Sequence, residues 1–155
     1  MCDTNLHSAV EQPKKGIEVN VLTSGVSMRP MLRQHKDIVV IVPVNRKLKK
    51  GDVVLYPNRK GDSVLHRIMR FSKDGSYIIR GDNNYFTEYG ITDADIVGIL
   101  KEFYRDGIYV DCATNKKYKL YTFWICHSYY LRYLWKKILC PFLVKIKHAV
   151  FGKKK

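Results

Sequence analysis

The chain has 155 residues and carries 28 lysines and arginines against 14 aspartates and glutamates, a formal charge of +14. That length holds one domain and an appendage, since domains typically take about 100–150 residues. With 46% hydrophobic and 12% aromatic residues it can bury a real core, which excludes wholesale disorder and collagen-like repetition. Its longest run without a charged side chain, residues 120–131, is 12 residues long, short of the roughly 20 that a membrane-spanning helix needs.

In chain order, residues 1–16 are polar, with Pro13 and the pair Lys14-Lys15, and read as a flexible lead-in. Order is expected to begin at Ile17-Glu18-Val19. The first seven residues offer neither the basic start nor the apolar run of a secretory signal, so the product is expected in the cytoplasm. Short β-type runs follow at 38–42, 53–56, 64–69, 77–80, 96–100 and 108–110. The breaks between them have turn chemistry: Lys50-Gly51-Asp52, Pro57-Asn58, Lys60-Gly61-Asp62, Asp74-Gly75, Gly81-Asp82-Asn83 and Asp106-Gly107. This predicts a mainly β domain over 17–113, a meandering antiparallel sheet built of hairpins.

From residue 114 the texture changes. Residues 114–155 hold ten lysines, one arginine, no acid and ten of the nineteen aromatic residues, and Gly is absent until Gly152. The segment predicts a basic, aromatic helical tail, divided at Pro141. Ile138, Phe142, Ile146 and Val150 recur every four residues, with Lys136, Lys137, Lys145 and Lys147 largely off that stripe. Three readings are open: an amphipathic anchor on an anionic membrane surface through Trp124, Trp135, Lys136, Lys137, Ile138, Phe142, Lys145 and Ile146; a helix packed on the β domain; and an RNA-binding segment. The aliphatic stripe favours lipid over nucleic acid, because single-stranded RNA calls for aromatic platforms. Cys2, Cys112, Cys126 and Cys140 show neither C-x-x-C spacing nor histidines at ligand distance in a repeating pattern, so no metal, cofactor or disulfide framework is indicated.

Three segments carry residues able to do chemistry: Ser24-Gly25-Val26-Ser27-Met28-Arg29-Pro30, Val64-Leu65-His66-Arg67-Ile68 and Arg80-Gly81-Asp82-Asn83-Asn84. Singly, each has a plain explanation. Ser27 fits a turn, His66 alternates with Val64 and Ile68 as a core histidine would, and Asp82 suits a tight turn. Together, a serine, a histidine and an acid supply the nucleophile, general base and orienting group of acyl transfer.

Over about residues 21–105 the chain resembles the signal peptidase and LexA-type superfamily of serine peptidases. The resemblance rests on Ser27-Met28-x-Pro30 with Leu32 following, Lys50-Gly51-Asp52-Val53-Val54, Leu65-His66-Arg67-Ile68, Gly81-Asp82-Asn83-Asn84 and Ile96-Val97-Gly98. It implies a coiled, barrel-like β domain in which Ser27 attacks a peptide carbonyl. Histidine rather than lysine at position 66 resembles the endoplasmic-reticulum and archaeal branch and implies a Ser27–His66 mechanism with Asp82 as helper. The histidine-type enzymes place a second aspartate six residues further on, where this chain has Glu88, and Asp93 and Asp95 are rival acids. Gly25 stands where signal peptidases often carry a serine that donates to the oxyanion, so the backbone N–H of Ser27 is the expected donor. Met28 and Pro30 are the candidates for contacting substrate. The implied partner is a peptide or protein with a leader or signal segment. With a short, mostly polar stretch before Ser27, the helix-turn-helix domain of a LexA-like repressor is not expected.

Overall fold

The computed structural model describes residues 19–128. Eight antiparallel strands form one curled, half-barrel sheet: β1 (Val19–Leu22), β2 (Ile38–Val42), β3 (Val53–Pro57), β4 (Ser63–Phe71), β5 (Tyr77–Arg80), β6 (Glu88–Ile91), β7 (Gly98–Arg105) and β8 (Ile108–Asp111). Among the described residues one helix, α1 (Lys116–His127), follows. The expected lead-in and the tail positions Trp135, Lys136, Lys137, Ile138, Phe142, Lys145 and Ile146 lie outside the described residues.

The sheet is not the simple meander that the turn signals suggest. Its order is β1-β2-β7-β3-β4-β5-β6, with β8 paired to β7, so β7 enters between β2 and β3. The central strands are apolar at successive positions because both sheet faces are covered, as continuous runs such as Ile38-Val39-Val40-Ile41-Val42 require. Alternation then sorts the side chains. One face collects Met28, Leu32, Val39, Ile41, Val53, Leu55, Leu65, Leu100 and Phe103. The other collects Leu48, Val54, Tyr56, Val64, Ile68, Tyr77, Ile79 and Ile99. Register shifts at Val40/Ile41 and between Ile68 and Arg70 bend the strands and tighten the curl.

Asn115 caps α1, its side-chain oxygen accepting from the Tyr118 N–H at 3.0 Å. The inward side of α1 lies over the first face: Tyr118 and Tyr121 pack against that cluster, and Ile125 is fully buried. Leu120, Phe123 and Trp124 are exposed. Among the described residues no helix is long and apolar enough to cross a membrane.

Candidate active site

Strand β4 presents two adjacent side chains to opposite faces of the sheet. His66 joins Val64 and Ile68 on one side, and Arg67 points to the other, beneath α1. The nucleophile candidate comes from the loop after β1. Burial of Met28, Met31 and Leu32 anchors that loop, and a Leu32 N–H to Met28 carbonyl bond of 2.9 Å closes a turn. A second anchor is Asp37, fully buried, which accepts from Arg33 and Arg105 side chains at 2.8–3.1 Å.

These supports bring the Ser27 hydroxyl to 3.1 Å from His66 Nε2. On the far side of the ring, Glu88 Oε1 lies 3.0 Å from His66 Nδ1. The Tyr56 hydroxyl donates to the same Glu88 oxygen at 2.8 Å and stands 3.0 Å from Nδ1. The Glu88 carboxyl is held below its ordinary range, chiefly by the His66 hydrogen bond, which outweighs partial burial. An ionised carboxylate only accepts, so the facing Nδ1 must carry the proton, and Nε2 presents its lone pair to Ser27. Burial, reinforced by the Glu88 charge, raises the Tyr56 hydroxyl well above its ordinary pKa, keeping it a donor.

Sequence reasoning missed Tyr56, reading it only as the end of an apolar run. The signal was in the hairpin register. Val54 pairs with His66 and Tyr56 with Val64, so Tyr56 and His66 are diagonal neighbours on one face.

Asp82, the expected helper, is not on His66. Its two carboxylate oxygens accept from Arg67 Nε and Nη2, each at 2.8 Å, and one also accepts from the Tyr121 hydroxyl at 3.1 Å. The physical reason is the alternation in β4: the acid that meets Arg67 faces away from the histidine next to it. Arg67 and Asp82 are both fully buried, and Arg67 also donates to the Gly51 carbonyl at 2.8 Å and to Thr122 at 3.0 Å. Buried charges of this kind persist only when paired and hydrogen-bonded. Asp93 accepts from the Tyr77 hydroxyl, and Asp95 accepts from Thr92 N–H and Oγ1 at 2.8 Å in a surface turn. Neither pairs with the imidazole.

The Gly-Asp-Asn turn nevertheless shapes the site. With Asp82 fixed by Arg67, the Asn83 N–H donates to the Ser27 carbonyl at 2.7 Å and its side-chain amide to the Val26 carbonyl at 3.2 Å. Gly81 is required by close approach. A Cβ there would stand 2.8 Å from the Ser27 oxygen and 3.0 Å from His66 Nε2. Gly25, where the resemblance expects a serine, has φ +82°, a left-handed conformation that a side chain disfavours.

Met28, expected to contact substrate, is buried in the core cluster beside the equally buried Ser27 and holds the loop. Pro30 is exposed, with its carbonyl accepting from Arg105 at 3.1 Å. Trp124 is about half exposed on α1. Among the described residues no group of three or more His, Cys, Asp or Glu is placed to hold a metal ion, and Cys112 and Cys126 are free thiols. Comparison with family models, with curated proteins and with solved structures finds no match to this chain, so the chemistry of the site is read from its own geometry.

Proposed function

We propose that the protein is a serine endopeptidase that removes a leader or signal segment from a peptide or protein. The observation that carries this reading is the hydrogen-bonded series Ser27 Oγ, His66 Nε2, His66 Nδ1 and Glu88 Oε1, with steps of 3.1 and 3.0 Å across the imidazole. A serine hydroxyl becomes a competent nucleophile only when a neighbouring base takes its proton as the bond to carbon forms.

In this mechanism Ser27 Oγ attacks the carbonyl carbon of the scissile peptide while its proton passes to His66 Nε2. Glu88 stabilises the imidazolium and holds its orientation. The imidazolium then gives its proton to the leaving amine, which releases one product and leaves an ester at Ser27. Water, deprotonated by His66, hydrolyses that ester and restores the hydroxyl. The backbone N–H of Ser27 is the proposed donor to the oxyanion. Asp82 takes no proton in this scheme; its role is to hold the turn that positions the Ser27 carbonyl.

The test is to treat purified protein, Ser27→Ala and His66→Ala with a fluorophosphonate probe, locating any label by mass spectrometry and assaying peptide cleavage in parallel. Ser27 and its hydroxyl are buried, so slow labelling is expected. Label at Ser27 that His66→Ala abolishes supports the reading. Joint absence of label and cleavage favours an inactive descendant that binds peptide through the same surfaces.

A further inference from the structure

A concavity lies apart from the Ser27–His66–Glu88 group, between α1, the loop joining β2 to β3, and the middle of β7. Its volume is about 630 Å³, within the roughly 300–1,000 Å³ usual for ligand pockets. None of the three proposed catalytic side chains lines it. Its walls are apolar, from Val42, Val53, Ile99, Leu100 and Phe123, and its edge is cationic, from Lys49, Lys50, Lys101 and Lys119.

Two acids also line it, and both are committed elsewhere. Asp52 is engaged by Arg46 at 2.7 Å, and Asp111 accepts the Ala113 and Thr114 N–H groups in the turn before α1. Lys101 stands 3.7 Å from Glu102. Lys50 Nζ donates to His127 Nε2 at 3.2 Å across the opening, since His127 Nδ1 already donates to the Phe123 carbonyl at 2.7 Å. Cations therefore exceed free acids around an apolar floor.

Phe123 belongs both to this wall and to the outward side of α1, where Leu120, Phe123 and Trp124 are 71%, 62% and 52% exposed beside Lys116, Lys117 and Lys119. Aliphatic and aromatic side chains among lysines match a membrane interface, where rings and chains enter the acyl boundary and ammonium groups meet phosphates. A soluble anion would use only the lysines, and a neutral apolar molecule only the floor.

We propose that this cavity binds one anionic phospholipid, with acyl chain along Val53, Leu100 and Phe123 on the α1 side of the sheet and phosphate among Lys49, Lys50 and Lys119. The site is independent of the peptidase chemistry. Cys126, a half-buried thiol on the cavity wall, reports its occupancy separately from any contact made by the other lysines of 114–155.

The experiment measures maleimide alkylation of Cys126 in the full chain by mass spectrometry. The conditions are buffer, phosphatidylcholine vesicles, vesicles containing phosphatidylglycerol, and soluble glycerol phosphate. Phosphatidylglycerol is expected to slow alkylation at least threefold while the other conditions leave it unchanged. Lys49→Glu with Lys119→Glu is expected to abolish that protection even where the protein still sediments with the vesicles. Both lysines are exposed, and an unchanged melting temperature shows the fold intact; Phe123→Ser is the second variant, with the same expectation. Equal protection by phosphatidylcholine, equal protection by glycerol phosphate, protection retained in the folded variants, or no protection in any condition each overturns the proposal.

Discussion

Glu88 Oε1 lies 3.0 Å from His66 Nδ1, and Glu88 is six residues beyond the Asp82 that the Gly-Asp-Asn turn brings forward. The two acids therefore have separable duties, one on the imidazole and one on the Arg67 guanidinium. Neutralising them should separate activity from stability. Glu88→Gln, at a side chain 40% exposed, is expected to leave the urea midpoint nearly unchanged and to lower kcat by about 10²–10⁴-fold, as loss of the orienting charge does in serine hydrolases. Asp82→Asn strands a buried guanidinium and is expected to destabilise the fold by about 3–5 kcal/mol. Equal destabilisation by the two changes would refute the division.

Tyr56 should act through Glu88. Its hydroxyl fixes a carboxylate that is otherwise half in water, and removing a hydrogen bond to a charged group costs about 1.5–3 kcal/mol. Tyr56→Phe is expected to lower kcat about tenfold with little change in KM, and to add nothing in a Glu88→Gln background. A double-mutant cycle on kcat/KM, read with the 15N spectrum of the His66 tautomer, checks this. Additive losses with an unchanged tautomer would mean that Tyr56 only fills space.

Gly81→Ala places a methyl 2.8 Å from the Ser27 carbonyl oxygen and 3.0 Å from His66 Nε2. Contacts this short force backbone to move, and overpacking of this kind costs about 1–3 kcal/mol. The expected result is a lower melting temperature together with loss of Ser27 labelling. A variant that melts lower but labels at the wild-type rate would show that the loop relaxes without disturbing the pair.

Acid should unfold the protein partly through Asp37. Burial pushes its carboxyl up, but hydrogen bonds from Arg33 and then Arg105 outweigh this and hold it below its ordinary 3.8. A carboxyl with a lowered native value binds fewer protons folded than unfolded. Its contribution is therefore complete above the unfolded value and disappears as pH falls through the native one. Urea midpoints between pH 5 and pH 2 should drop, and Asp37→Asn, less stable at pH 5, should show a shallower drop. An identical slope in the variant would place the acid sensitivity elsewhere.

What could be read in the sequence follows from the range of each signal. The runs at 38–42 and 53–56 are apolar on both faces, as is 77–80 up to its closing Arg80, and all are bounded by turn residues, so local chemistry marked them as strands. β6, Glu88-Tyr89-Gly90-Ile91, lacks such a run and owes its pairing to β5 across a bulge. The entry of β7 between β2 and β3 is a long-range register that no local turn encodes. Ser27 and His66 stood out through their short motifs. The choice of acid did not, because a Gly-Asp-Asn turn reads the same whether its carboxylate meets a histidine or an arginine, and only the alternation of His66 and Arg67 about β4 separates them. α1 was legible from Asn115 onward as a change in texture, whereas its grip on Arg67 through Tyr118 and Thr122 depends on tertiary placement.

The position of β7 also sets an order of assembly. The sheet reaches from the strand pair next to Ser27 to the hairpins carrying His66 and Glu88 only through β7, which the ribosome delivers last among the three parts. Long-range pairing of this kind is slow because its loop closure precedes its reward. A nascent chain that has emerged only to residue 97 holds the serine on one sheet fragment and the histidine on another, with no continuous ladder between them. The Ser27–His66–Glu88 group is thus joined by a continuous sheet only late in synthesis, after the segments that bear it have already left the exit tunnel.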